Sequence, residues 1–406
     1  MNILFLTMVC INDIKSHGIY TDLMREFVAH GDKPYIVTPC EKKNGQQTTF
    51  SDCDNYGLLK VRVGNLFGVG IIEKGISTVL LNHQFNRAIN TCLHDVNFNL
   101  ILYSTPPITL VDTIIAQKKR GQATTYLLLK DIFPQNAVDL GMMQTTGVKS
   151  LIYRYFKRKE NKLYAISDHI GCMSQANVDY VLRHNPEIAP DKVEICPNSI
   201  EPQDLRLTED QRMKIRKKYD IPLDATVFVY GGNLGKPQGI PFVIDCLKTQ
   251  LDNQQAYFLI VGDGTEYGKL ETFFNETKPQ NMQLMKRLPK NDYDRMIAAC
   301  DVGLIFLDHR FTIPNFPSRL LSYMQAGLPV LACTDPETDA GKVIVDGGFG
   351  WWCESNDVKA FNEIIEDSCD ADLSAKGEKS FSRLQECYVS HNCAAIILRW
   401  LGGEDR

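Results

Sequence analysis

Pro314–Val330, PNFPSRLLSYMQAGLPV, is the stretch whose reading decides the fold. An apolar run, Asp301–Leu307 (DVGLIFL), precedes it and reads as a strand. Pro317 and Ser318 then open a short helix, Gly327 closes it, and Pro329–Ala332 enters the next strand. Proline near the first helical position and glycine just past the last are the expected punctuation. The N–H that proline lacks has no helical partner there, and glycine accepts left-handed backbone. A strand–loop–helix–Gly–strand unit aims a helix N-terminus at the carboxyl edge of a parallel sheet. Free backbone N–H groups at that edge suit an anion such as a diphosphate. Arg319, in the first turn, opposes the helix dipole but suits a phosphate. An ordinary βαβ unit with a solvated arginine accounts for the same residues.

Strands and helices alternate on both sides of this stretch. Asn2–Thr7, Lys33–Thr38, Leu58–Val63, Leu100–Ser104, Thr125–Leu129, Ile166–Met173 and Val193–Pro197 read as strands. Tyr20–His30 and Thr78–Leu93 read as helices among them. A polar, proline-containing stretch, Pro197–Leu205 (PNSIEPQDL), interrupts the pattern, which then restarts with strands at Thr226–Tyr230, Tyr257–Val261 and Met282–Lys286. Such alternation predicts α/β architecture: two doubly wound domains with parallel sheets covered on both faces. The first spans 1–198 and the second 206–385, with a linker at 199–205. Ligands of such sheets lie beyond the strand carboxyl ends, and the cleft between two such domains is the default site.

The bulk numbers agree. A chain of 406 residues exceeds one typical core. A net charge of -5 argues against a nucleic-acid protein. None of the 13 cysteines forms C-x-x-C, and Cys172, Cys196, Cys300 and Cys333 lie in or beside apolar runs, as reduced cytosolic thiols do. The apolar N-terminus, MNILFLTMVC, reads as a first strand, not a leader, and no segment is long enough to span a bilayer. The expectation is a cytoplasmic protein whose membrane contact, if any, is peripheral.

Several constellations suit a ligand. Phe228–Ile240 (FVYGGNLGKPQGI) is a Gly-rich strand–helix turn holding Gly232, Asn233, Lys236 and Gln238. It brings backbone N–H groups near a phosphate, or serves only as a turn. Phe258–Thr265 (FLIVGDGT) places Gly262, Asp263 and Gly264 at a second carboxyl-end turn. In the first domain His17 and Gly18 open a crossover helix, and Asp131 follows a leucine-rich strand as either a functional acid or a helix cap. Lys149–Leu163 (KSLIYRYFKRKENKL) carries six basic residues and one acid at near-helical apolar spacing. It fits an anionic membrane surface, or a helix whose apolar stripe faces its own core. Asp52-Cys53-Asp54 and Asp370-Ala371-Asp372 follow no convincing strand and read as chance rather than as metal sites.

Taken in order, PNSIE (197–201), GGNLGKPQG (231–239), VGDG (261–264) and FPSRLLSYMQAGLPV (316–330) resemble the retaining, nucleotide-sugar-dependent glycosyltransferases of family 4, which have the GT-B fold. KDIFPQNAVDLG (130–141) is similar to the D-L-W-P-x-x-A-x-x-L-G stretch of the bacterial branch that builds O-antigen, capsule and exopolysaccharide. The resemblance covers the whole chain. It implies a donor, expected to be UDP-linked, bound by the second domain, and a polyprenyl-diphosphate-linked saccharide acceptor bound by the first at the inner membrane face. It implies a terminal segment, 386–406, crossing back to the first domain. Asp131 and Arg319 carry the catalytic expectation. Gly232, Asn233, Lys236, Gln238, Gly262, Asp263, Gly264, Pro317, Ser318, Arg319, Leu320 and Ser322 are expected around the donor, and His17 and Gly18 on the acceptor side. No cofactor or metal is expected, since helix N-termini and basic side chains neutralise the leaving diphosphate. The family's Glu-x7-Glu pair falls on Pro314 and Ser322, so both glutamates are missing. A nucleotide-sugar 2-epimerase of the same fold and a degenerate partner subunit are the alternatives.

Overall fold

The structure, a computed structural model, describes residues 1–66 and 68–402, so the last four residues of the expected 386–406 segment lie outside the described residues. The chain divides into two compact units, one of Met1–Glu201 with Ser390–Arg406 and one of Pro202–Val389.

In the first unit the strands are β1 (Asn2–Leu6), β2 (Lys33–Glu41), β3 (Thr49–Asp52), β4 (Gly57–Val63), β5 (Leu100–Ser104), β6 (Thr124–Leu129), β7 (His169–Cys172) and β8 (Val193–Ile195). Their order is β3-β4-β2-β1-β5-β6-β7-β8, parallel except for the β3–β4 pair. The helices between them are α1 (Ile19–Ala29), α2 (Ile71–Cys92), α3 (Val111–Gly121), α4 (Gln135–Asp139), α5 (Ser150–Ile166) and α6 (Gln175–His184). Helices on both faces bury the central strands completely, so β1 and β5 are near-continuous apolar runs rather than alternating ones.

The second unit holds α7 (Glu209–Lys218), β9 (Thr226–Asn233), α8 (Ile240–Thr249), β10 (Ala256–Asp263), α9 (Tyr267–Thr277), β11 (Met282–Met285), α10 (Lys290–Ile297) and β12 (Val302–Phe306). It continues with α11 (Arg319–Gln325), β13 (Val330–Thr334), α12 (Ala340–Asp346), β14 (Gly350–Glu354), α13 (Val358–Cys369) and α14 (Leu373–Cys387). Its sheet is parallel, in the order β11-β10-β9-β12-β13-β14. A last helix, α15 (Ser390–Leu398), belongs to the first unit and packs against α1. Its Ile397 and Leu398 join the core around Phe5 and Phe27, each burial contributing about 1.5–3 kcal/mol.

In each sheet the strand order reverses at one place, between β1 and β5 and between β9 and β12. Loops part there, which makes the carboxyl end of each pair the natural ligand position.

Some expectations differ from the structure. β3 is an exposed edge strand and β14 a Trp-containing one, and neither showed in the pattern. α2 begins at Ile71 rather than Thr78, with Gly70 as its cap and Gly75 tolerated inside its first turns. The Asp-x-Asp triplets have structural roles: Asp52 pairs with Lys33, and Asp372 caps α14 through the Ala375 N–H. The cysteines are free thiols, with Cys172, Cys196, Cys300 and Cys333 buried.

Candidate functional site

In the second unit β9 and β12 pair only at Val302↔Phe228 and Gly303↔Val229. Beyond that the strands part. β9 turns instead with β10, and the two remain paired as far as Gly262↔Gly232 and Asp263↔Asn233. This close approach needs glycine. A side chain begun at Gly262 would start 2.0 Å from the Gly232 carbonyl oxygen, and one at Gly264 would start 2.4 Å from that of Leu234. Gly232 has φ +130°, a conformation that L side chains rarely adopt. The missing side chains of Gly262 and Gly264 therefore make room for the chain itself. The Gly264 N–H is taken by Asp263 Oδ1 at 2.8 Å, and Asp263 is exposed.

Gln238 is buried and holds the Gly-rich loop. Its Oε1 accepts from Gly235 N–H and from Asn233 Nδ2, both at 3.1 Å. Lys236 and Asn233 are exposed. Arg310, a nearby cation, is bound to buried Asp308 through Nε and Nη2, both at 2.8 Å. These bonds outweigh burial and hold the Asp308 carboxyl below its usual range.

Arg319 behaves differently. Its guanidinium lies 4.2 Å from the centre of the Tyr230 ring, and its Nη1 is buried with no hydrogen-bond partner among the described residues. A methyl group on Gly232 would lie 3.3 Å from Nη2. Burial opposes the charge, but the Tyr230 and Tyr323 hydroxyls outweigh it and the guanidinium stays above its usual range. A half-buried cation with one buried, unused donor, facing a glycine in the gap between parted strands, suits an anion.

At the start of α11, Leu320 N–H bonds Pro317 O and Leu321 N–H bonds Ser318 O, both at 3.2 Å, so the tight turn uses these two donors. Ser318 is exposed, while Pro317 and Ser322 are half-buried. Tyr230, Tyr293 and Tyr323, which line the arginine, were missed. The one available signal was spacing, since Tyr323 lies four residues after Arg319 and so on the same helix face.

In the first unit Asp131 lies just beyond β6. Its Oδ1 and Oδ2 accept from Asn136 Nδ2 at 2.8 and 2.7 Å, and burial pushes its carboxyl up to about 6. Thr105 Oγ1 ties the loop by accepting from Lys130 N–H at 3.1 Å and donating to Asp131 O at 3.1 Å. Gly18 caps α1, and its N–H bonds Asp22 Oδ1 at 2.9 Å. Its backbone is extended and an added Cβ meets only Thr21 Oγ1 at 3.4 Å, so the fold itself does not require glycine there. His17 is exposed and lies with Asp22 and Glu201 in a trio of metal-ligand types. Arg25 Nη2 already stands between the two carboxylates, 2.7 Å from each.

Residues 211–377 match the model of the family described as Glycosyl transferases group 1. The match covers most of the second unit and makes the chain similar to glycosyltransferases of this group. The chain is 26% identical over 295 residues to a probable glycosyltransferase, WbjE, of Pseudomonas aeruginosa, covering 72% of each chain. It is 23% identical over 180 residues to a putative colanic acid biosynthesis glycosyl transferase, WcaI, of Escherichia coli, covering 43% of each. Among solved structures, sucrose-phosphate synthase of Thermosynechococcus elongatus superposes with a TM-score of 0.75 at 14% identity over 100% of both chains. Anabaena HepE in complex with UDP-glucose superposes with a TM-score of 0.70 at 14% identity over 99% of this chain and 100% of that one. The two Rossmann-like units are those of the GT-B fold.

Proposed function

We propose that this protein transfers a sugar, with retention, from a UDP-linked donor to a lipid-linked saccharide in surface polysaccharide assembly. The observation that carries the reading is Arg319, a half-buried residue whose Nη1 is buried and unused at the gap between β9 and β12. The UDP-glucose complex of a protein with the same fold supports a uridine donor, and the named relatives support polysaccharide assembly.

The chemistry asks little covalent work of the protein. Arg319 binds the donor's diphosphate and strengthens its hold as negative charge grows on the leaving group. Gly232 leaves room for that diphosphate, and Gln238 fixes the loop that carries Asn233 and Lys236. With retention, a departing phosphate oxygen takes the proton of the acceptor hydroxyl. Asp131, ionised above about pH 6, accepts a hydrogen bond from the acceptor and orients it. No metal is required in this scheme. Ser322 offers the donor a hydroxyl where the family has a carboxylate.

The lipid part rests on α5. Val148, Leu151 and Ile152 are 84%, 63% and 58% exposed beside Lys149, Arg154 and Arg158, while Leu163 and Tyr164 face the core. Phe156 packs edge-on against Phe133, two residues from Asp131, at 5.0 Å. An apolar patch ringed by cations suits an anionic bilayer, and here it adjoins the Asp131 loop. Among the described residues no helix is long and apolar enough to cross a membrane.

The test is a transfer assay with labelled UDP-sugars and a polyprenyl-diphosphate-linked saccharide, with a donor-only arm. A glycolipid product with retained anomeric configuration supports the proposal. An isomerised nucleotide sugar in the donor-only arm would overturn it. Pro314 and Ser322, standing where the family has glutamates, favour a second reading, that of a non-catalytic partner of a true transferase. That reading predicts no product with any donor.

A further inference from the structure

Where β9 and β12 part, Gly231 N–H and Leu304 C=O lie just past the last paired residues, Gly303↔Val229. One side chain meets both of them and the Val229 carbonyl as well. The Tyr323 hydroxyl accepts from Gly231 N–H at 3.2 Å and lies 3.0 and 3.1 Å from the carbonyl oxygens of Leu304 and Val229, to which its proton is donated. Leaving buried groups of this kind unpaired is costly, so the hydroxyl is what makes the parting of the strands tolerable. The ring reaches this place only because residue 303 is glycine, since a Cβ there would lie 2.4 Å from the Tyr323 ring. Tyr293 of α10 packs over the same turn, its hydroxyl 1.9 Å from where a Gly231 side chain would begin. Tyr323 is itself fully buried and touches no open surface.

Tyr323 and Arg319 stand four residues apart on α11, on one face of the helix. The hydroxyl pins that face to the parted strands. The guanidinium, one turn earlier, is thereby held over Tyr230 and beside Gly232. We propose that Tyr323 is a positioning residue for Arg319: by replacing the missing rungs between β9 and β12 it fixes α11 so that the guanidinium faces the donor's diphosphate. This rests on the reading of Arg319 given above. The effect of losing the hydroxyl should fall on diphosphate binding and spare the nucleoside, because Tyr323 touches the ligand nowhere.

The experiment measures UDP binding by calorimetry and uridine binding by ligand-observed NMR for the intact chain and for Tyr323→Phe, Arg319→Ala and the double variant. Tyr323→Phe is expected to weaken UDP about tenfold and to leave uridine unchanged. In the Arg319→Ala background it is expected to have no further effect, since the group it positions is gone. Equal weakening of UDP and uridine, or additive losses in the double variant, would overturn the proposal while leaving Arg319 as a diphosphate ligand. An Arg319→Ala variant that binds UDP normally would overturn the proposal together with the reading beneath it. If Tyr323→Phe does not fold, Gly303→Ala displaces the same ring from the far side of the strand, and the same UDP-specific loss is expected of it.

Discussion

Replacing Arg319 by alanine separates binding from stability. The residue is half-buried, its Nη1 is buried with no partner among the described residues, and its clearest protein contact is the Tyr230 face at 4.2 Å. A cation–π contact of this kind is worth about 0.5–2 kcal/mol, and the desolvation of an incompletely paired charge opposes it. The net change in folding stability is therefore within about 1 kcal/mol, a shift in Tm of roughly 2–4 °C for a unit of this size. The loss in the reaction is larger. A hydrogen bond to a charged group contributes about 1.5–3 kcal/mol, and removing one preorganised oxyanion donor costs about 10²–10³ in turnover. The expected result is about a 10²-fold fall in kcat/KM for the donor, with Tm nearly unmoved. Arg319→Met, which keeps most of the packing, should behave like alanine. The assay is steady-state transfer at varied donor concentration, beside a thermal melt of the same preparation. Unchanged turnover, or a loss of activity that tracks a large fall in Tm, would refute the reasoning.

The remaining predictions follow from other buried or exposed groups. Because Asp131 is raised to about 6 and acts as a carboxylate, kcat/KM should rise about tenfold per pH unit below pH 6 and level off above it. Asp131→Asn should abolish that limb, and a limb that survives in the variant would remove Asp131 from the reaction. Asp335, buried just beyond β13 with Oδ2 unpaired, is pushed up to about 7 because burial outweighs the N–H bonds from Thr338 and Glu337. The folded state thus holds a proton that the unfolded chain releases near pH 4, so this group's contribution to stability declines as pH rises from about 4 to about 7. Asp335→Asn should stabilise the protein above pH 7 by up to about 4 kcal/mol and have no such effect near pH 4, as read by denaturant titration at both values. Substituting Lys157, Arg158 and Lys159 by serine should reduce sedimentation with anionic vesicles, and undiminished recovery would count against the membrane role of α5.

The sheets were legible because their central strands are buried on both faces. Runs such as NILFL and VGLIF have only one comfortable setting, a covered parallel sheet. The edges were not: β3 packs little and so carries little pattern. The same contrast holds at the site. Arg319 stood out because it defies the helix dipole. Its surroundings did not, because Tyr230, Tyr293 and Tyr323 come from three elements and read singly as core aromatics. The glycines show what a sequence leaves out. Gly262 and Gly264 read as a carboxyl-end turn, and the structure adds that the backbone of β9 and its loop occupies the place where their side chains would begin. Pairings such as Arg310 with Asp308, or Gln238 with Gly235, depend on local backbone geometry that no spacing rule contains. The short first turn of α11 likewise consumes N–H groups that sequence alone would leave free.

The central claim is that the second unit binds a nucleotide diphosphate through a side-chain cation without a metal. Calorimetric titration of the intact chain with UDP, in buffer containing a chelator, tests it most directly. The account predicts one saturable site per chain, weakened in Arg319→Ala and indifferent to the chelator. No heat of binding with UDP or any other nucleoside diphosphate, or binding that vanishes when divalent ions are removed, would contradict it.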